Sequence, residues 1–347
     1  MQLIKSCRSY ITLFAVTLLL VVSCSNPATK IPTDTATPPV AANAVRLGYS
    51  AWPGWFPWKV AEQQQIFAQN NVPVELTWFD GYLESISALT AQQIDGNGQT
   101  LGDTVSSVSG GADQVIVLVN DNSTGNDKII VAPEINTIAD LKGKKVAVEE
   151  GTVDHFLLLQ GLKRAGLSGE DIELIPLETG KAASAFVAGQ VDAVAVFAPY
   201  TTQAFKRPQS KELFSSKDFP GSISDHLVFT RSFIDENPQQ VQAIVDSWFT
   251  TLEYIENNPD QAYQIMAQRA GVSVEEYQSY AEGTKIFTLD ENLKAFEPGN
   301  DLNSLSFAAK KMAEFLVEVG FTPSLPDTSQ LFDPRFVQAY AAKHQNS

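Results

Sequence analysis

Cysteine is nearly missing from this 347-residue chain. The two present are Cys7 and Cys24, and the 323 residues that follow contain none. That excludes a disulfide scaffold, a cysteine nucleophile and a thiolate metal site in the folded body. Histidine is scarce too, with three residues and no Asp/His/Glu spacing suited to a metal, so neither metal nor cofactor is expected. Cations are in deficit: 24 Lys and Arg stand against 40 Asp and Glu, a net charge of −16. Nucleic acid is excluded as a partner, because phosphate binding needs clustered Lys and Arg. What is present is a composition 44% apolar and 18% charged, with room for a large core. The length suits two domains.

An apolar run, Ile11 to Val22, follows the positive residues Lys5 and Arg8. Its twelve residues fall short of the roughly 20 that span a bilayer, and the pattern is that of a secretory signal over 1–23. The ending Val21-Val22-Ser23-Cys24 resembles the lipobox of bacterial lipoproteins, in which the cysteine is lipidated and becomes the new N-terminus. Val21 stands where Leu is more usual. Residues 25–43 are rich in Pro, Thr and Ala with no apolar period, so 24–43 reads as a lipidated cysteine and an extended tether. The expected location is the periplasm or the outer face of the cell membrane, anchored at Cys24. The first 44 residues carry three cations and one anion, net +2, which leaves −18 on the body.

The body alternates between strand and helix signals. Strands are expected at 45–49, 72–79, 99–101, 115–119, 128–131, 145–148, 172–177 and 191–197. Helices are expected at 57–69, 82–92, 104–109, 153–165 and 181–188. Such alternation predicts parallel sheets with helices on both faces. Another strand-like segment, 226–230, follows, and from Asn237 onward the pattern turns helical. Two α/β units joined by two chain crossings would make a hinged clamp.

Five motifs then sharpen the reading. They are Trp52-Pro-Gly-Trp55-Phe-Pro57 with Gln65-Ile66-Phe67, and Ala88-Leu-Thr-Ala-Gln-Gln-Ile-Asp95 with Thr100-Leu-Gly-Asp103. Asp121-Asn-Ser-Thr-Gly-Asn-Asp127 follows, then Ile138-Ala-Asp-Leu-Lys-Gly-Lys-Lys-Val146 with Glu150-Gly-Thr152. The last is Ala188-Gly-Gln-Val-Asp-Ala193 with Ala198-Pro199. In this order, over about 45–230, the chain resembles the nitrate/sulfonate/taurine-type solute-binding proteins of ABC importers. Gln65 and Gln93 depart from it, standing where glycine is common. The resemblance implies a type II periplasmic-binding-protein clamp, α/β with parallel-rich sheets, two hinge crossings and a helical C-terminal tail. It implies lobe 1 over 44–130 plus 226–347 and lobe 2 over 131–225. The implied protein is a monomer that captures a small-molecule solute, passes it to an ABC permease with its ATPase subunit, and does no chemistry. The same superfamily spans nitrate, bicarbonate and pyrimidine-type thiamine precursors. A sensory solute-binding lipoprotein and a pyrimidine-synthase-like enzyme are the readings from other classes. The enzyme type carries a cysteine-rich motif that this body lacks.

In open α/β sheets ligands sit beyond the carboxyl ends of strands, which selects the candidate residues. After the first strand come Trp52 and Trp55, each able to supply an apolar wall or hold a cation, while Trp58 is expected in the core. Asp80 and Tyr82 follow the second strand, with Asp80 also suited to cap the next helix. Asp103 follows the third, with the same two readings. Ser123 and Thr124 lie at the first crossing. Gly151, Thr152 and Asp154 open a helix whose free N–H groups could seat an anion. Tyr200 could reach the ligand, Phe197 is expected in the core, and His155 as polar lining or surface. The candidate loops carry Asp80, Asp103, Asp121, Asp127, Glu149, Glu150 and Asp154, against Lys128 and Lys181. Nitrate or sulfate would need Arg or Lys to meet its charge. A zwitterionic or amine-bearing solute, such as a taurine-like aminosulfonate, is therefore expected.

Overall fold

The computed structural model describes residues 43–344. The proposed signal, Cys24 and nearly all of the tether lie outside them. Eleven strands form two sheets in the described part. The first contains β1 (Val45–Tyr49), β2 (Val74–Trp78), β3 (Gly96–Thr100), β4 (Gln114–Ser123), β10 (Ser224–Thr230) and β11 (Thr284–Ile286), in the order β11-β4-β10-β3-β1-β2. The second contains β5 (Asp127–Val131), β6 (Lys145–Val148), β7 (Glu173–Pro176), β8 (Ala193–Phe197) and β9 (Lys211–Ser215), in the order β7-β6-β8-β5-β9. Parallel ladders run through β2-β1-β3 and β7-β6-β8, and the strands at the lobe crossings pair antiparallel. The result is the two-lobed α/β clamp expected from the pattern, with one sheet per lobe.

The chain leaves the first sheet at the end of β4 and enters the second at β5, through 124–126. It returns between β9 and β10. The two crossings are laced together: Ser123 donates its N–H to the Ile223 carbonyl at 3.0 Å, and the Ser123 and Ser216 hydroxyls lie 2.7 Å apart. A strap from the helical tail crosses them. Asn126 Nδ2 donates to the Tyr280 carbonyl and to Thr284 Oγ1, both at 2.7 Å.

Local sequence explains most elements. The β4 run Val115 to Val119 is buried on both faces, as a central strand requires. Helix Pro238–Asn257 starts on proline, and its Trp248 packs 4.7 Å from Trp58, which is wholly buried in the core as expected. The single helix expected over 57–69 is broken into Pro57–Gln63 and Ile66–Gln69 by Gln65, held at φ 56°. At the other family glycine site the left-handed residue is Gln92, φ 57°, one place before Gln93. β3 has the sequence GNGQT and every residue buried, so hydrophobic period could mark only its end. β9 and β11 were not anticipated: one is charged and the other has three residues.

Candidate functional site

The turn after β1 builds one wall of an inter-lobe cavity of about 10 Å³. Trp55 donates its N–H to the Trp52 carbonyl at 3.0 Å, closing the turn and bringing both rings to the cleft. Two glycines make room. A Cβ on Gly54 would lie 1.8 Å from Asp121 Oδ2, and one on Gly98 would lie 2.8 Å from the Trp55 ring. Tyr82, at the start of helix Tyr82–Thr90, accepts the Thr100 N–H at 2.8 Å on its hydroxyl, and its ring lies 5.4 Å from Trp55. Phe197, at the end of β8, faces Trp52 at 6.2 Å and Tyr82 at 6.3 Å. It is buried as expected, yet it lines the cavity with the three others. Tyr200 is half-buried and packs behind it at 5.7 Å.

Carboxylates crowd around this aromatic box. Asp103, Asp121, Asp127, Glu149, Asp154 and Asp225 are all buried. Asp121 and Asp225 sit directly opposite each other on β4 and β10. Those two carboxyls hydrogen-bond each other, and the remaining partners of the group are neutral. Trp52 Nε1 donates to Asp121 Oδ1 at 3.0 Å, Thr100 Oγ1 to Asp103 Oδ2 at 2.7 Å, and Thr179 Oγ1 to Glu149 Oε2 at 2.7 Å. Oδ2 of Asp121, Asp127 and Asp225 and both oxygens of Asp154 have no hydrogen-bond partner. The cation next to Asp127, Lys128, spends its ammonium on Glu212 at 2.6 Å. Burial therefore pushes the carboxyls up: Asp103 to about 6, Asp127 to about 7 and Asp121 to about 8. Asp154 and Asp225 are raised further in the same direction, by burial and by the neighbouring carboxylates.

Helix Val153–Arg164 opens onto the cleft, but the chain meets its start itself. Gly151, at φ +84°, donates its N–H to His155 Nδ1 at 3.2 Å, and Thr152 Oγ1 donates to the Glu149 carbonyl at 2.8 Å. The Val153 N–H lies against the Asp103 carboxyl and helps hold its proton affinity down. Asp154 sits one residue further into the helix. Of the donors expected to seat an anion, the Val153 N–H thus faces the Asp103 carboxyl, while the Gly151 N–H and the Thr152 hydroxyl are spent on His155 and the Glu149 carbonyl. His155 is buried against Phe321, ring centroids 4.7 Å apart, and burial lowers it to about 4.

Two capping expectations need correction. Asp80 caps no helix: Gly81 takes that position with extended backbone, and the exposed Asp80 accepts from Trp78 Nε1 at 2.7 Å. Asp103 lies inside the first turn of helix Leu101–Ser109, whose cap is Thr100. Ser123 is buried and faces Ser216, while Thr124 is exposed beside the strap. The tertiary structure therefore brings together Trp52, Trp55, Tyr82, Asp103, Thr152 and Asp154, and leaves Asp80 and Thr124 at the surface. Asp225 was missed because the strand was read from His226. A buried-strand reading begun one residue earlier would have found it.

A two-lobed fold closing on an aromatic, acidic cavity defines a clamp for solutes. The comparisons agree on the class. Residues 39–271 match the model of the NMT1-like family, and the chain belongs to it. The taurine-binding periplasmic protein of Escherichia coli is 26% identical over 81% of this chain and 89% of its own. The crystal structure of the periplasmic aliphatic sulphonate binding protein of the same organism superposes with TM-score 0.68. It is 25% identical and covers 85% of this chain and 93% of its own. The periplasmic nitrate-binding protein of Synechocystis PCC 6803 shares the fold at TM-score 0.70 and 14% identity, covering 88% of this chain and 89% of its own.

Proposed function

We propose that this protein is the extracytoplasmic solute-binding component of an ABC importer, which captures a small amine-bearing solute between its lobes. The observation that carries the reading is the buried cavity itself, walled by Trp52, Trp55, Tyr82 and Phe197 and met from both lobes by Asp127 and Asp225. As the lobes stand the cavity holds only about 10 Å³, roughly the room of one water, so the lobes must part to admit a solute. The names of the relatives, which bind taurine and sulphonates, support the same transport role. That these relatives are named as binding proteins supports a carrier role for the chain. Residues 44–123 with 224–344 form one lobe and 127–215 the other, the crossings falling a few residues earlier than the expected 130 and 225, and binding shifts the pair toward the closed form by its greater affinity for that form. The candidate ligand contacts of the lobes are Trp52, Trp55, Tyr82, Asp103, Ser123, Gly151, Thr152, Asp154 and Tyr200. A signal over 1–23 and lipidation at Cys24 would hold the monomer at the outer face of the membrane, next to its permease and ATPase. Mass spectrometry of the N-terminus of protein made in its natural host tests the anchor. Thermal-shift screening against a solute library tests the role: a shift of several degrees is expected, and no shift from any solute would defeat it.

A further inference from the structure

Sulphonates and nitrate are anions, and the cleft of this chain is built for the opposite charge. Two buried carboxyl groups, Asp127 on β5 and Asp225 on the returning strand β10, line the cavity, and Asp103, Asp121, Glu149 and Asp154 are buried close enough to them or to one another to raise each other's proton affinity. No Lys or Arg ion pair reaches any of the six among the described residues, and the nearest ammonium, Lys128, is taken by Glu212. At the start of helix Val153–Arg164 the Val153 N–H is met by Asp103, and the unpaired Asp154 carboxyl stands in the first turn. A sulphonate placed here would lose its hydration and meet carboxyl groups with no cation among them to offset its charge.

We infer that the cavity takes a small organic cation with no anionic group, its charged nitrogen held against Asp127 and Asp225 and its body laid on Trp55. This deepens the solute-binding reading above and rests on it. Asp127 and Asp225 line the cavity, are 1% and 2% exposed, and each keeps a side-chain oxygen free of hydrogen bonds. Carboxylates of this kind wait for a donor, since leaving buried acceptors unmade is costly. An ammonium supplies both the hydrogen bonds and the charge, and the indole face of Trp55 adds a cation–π contact. A metal ion fits less well: no group of three His, Cys, Asp or Glu residues among the described residues converges as a ligand set. Asp121 on β4, Asp127 on β5 and Asp103 at a helix start hold their protons up to about pH 6 to 8, and burial raises Asp225 on β10 and Asp154 at the other helix start in the same direction. A cation must displace some of those protons to the solvent. Binding and proton release are then one event, and affinity rises by up to about tenfold per pH unit for each proton released.

The test is calorimetric titration of the full chain with 1,4-diaminobutane, benzylamine, agmatine, taurine, ethanesulfonate and calcium chloride, at pH 6 and pH 8 and in buffers of differing ionisation enthalpy. At least one of the three amine probes should bind, at least tenfold tighter at pH 8 than at pH 6, with protons released. Ethanesulfonate should not bind. Asp225→Asn should weaken the amine at least tenfold while leaving the ligand-free thermal midpoint equal or higher, because it removes a buried charge; a purely structural Asp225 would lower both. Tighter binding of taurine, ethanesulfonate or calcium than of every amine, or amine binding indifferent to pH, overturns the inference. Silence from all three amine probes overturns it too. The solute-binding reading would survive that result if a wider library still raised the thermal midpoint, and would fall with it if the library were silent.

Discussion

Trp55 shows how one side chain serves packing and recognition together. Its ring lies on Gly98 and beside Tyr82, while its Nε1 has no partner inside the protein. Trp55→Phe should keep the fold, since most of the ring contact survives, but should weaken solute binding about tenfold through the smaller π face. Titration followed by circular dichroism separates the two effects; unchanged affinity would return Trp55 to the core. Gln65 makes a different point. It occupies φ 56°, a conformation that costs a residue with a side chain roughly 1–2 kcal/mol and glycine almost nothing. Gln65→Gly should be neutral or stabilising by up to about 1 kcal/mol in urea denaturation, even though glycine is usually the costlier residue. A clear loss would mean that the Gln65 side chain supplies contacts that outweigh the strain.

At the level of elements, the lobes are joined by more than their crossings. Glu149, in the lobe of β6, accepts the Leu83 N–H at 2.9 Å, at the start of helix Tyr82–Thr90 in the other lobe. One lobe thus caps a helix of the other, with Thr179 fixing the carboxylate from behind. Glu149→Ala removes a charge-assisted hydrogen bond worth about 1.5–3 kcal/mol gross and should shift the ligand-free protein toward the open form. Small-angle scattering should record a larger radius of gyration than for the unaltered chain; an equal radius would show that the bond does not govern closure. Gly98→Ala acts within an element: the added methyl meets the Trp55 ring at 2.8 Å, so the ring must move into the cavity and solute affinity should fall at least tenfold. At this scale the sequence was readable where period and chemistry coincide, as in Val115 to Val119 and in the Trp-rich turn. It was unreadable for β3, whose polar residues are buried by neighbours on both sides. The Asp80 cap failed for a related reason, since Trp78 claims the carboxylate and Gly81 supplies the turn.

For the whole molecule, the acidic balance becomes a statement about pH. Carboxyls whose protons are held more tightly in the folded protein favour folding while protonated and lose that advantage as they ionise in place. With Asp103, Asp127 and Asp121 raised to about 6, 7 and 8, ligand-free stability should fall as pH rises through this range. The two buried histidines work the other way. Lowered to about 4 for His155 and about 3 for His226, they cost stability only as pH drops below the ordinary histidine value of about 6.5. Between pH 6.5 and 8 only the carboxyls act, so the thermal midpoint of the ligand-free protein should rise by about 2–5 °C from pH 8 to pH 6.5. Calorimetric scans check this; a midpoint that rises toward pH 8 would show the cluster to be solvated and ordinary.

The sequence by itself determined the class: strand–helix alternation set the layers, the missing cysteine and scarce cations removed catalysis by thiolate and binding of nucleic acid, and the ordered motifs pointed to a two-lobed clamp. These are local properties, written in period, composition and turn chemistry. Which carboxylates come together at the cleft was decided only by the tertiary structure. Asp103, Asp127, Asp154 and Asp225 are separated by up to 122 positions in the chain, and their mutual distance depends on strand order, on the antiparallel return of β10 and on closure of the lobes. The charge was legible as a number; its concentration around an aromatic box, and the unmet oxygens that give it meaning, arise from packing between segments remote in sequence.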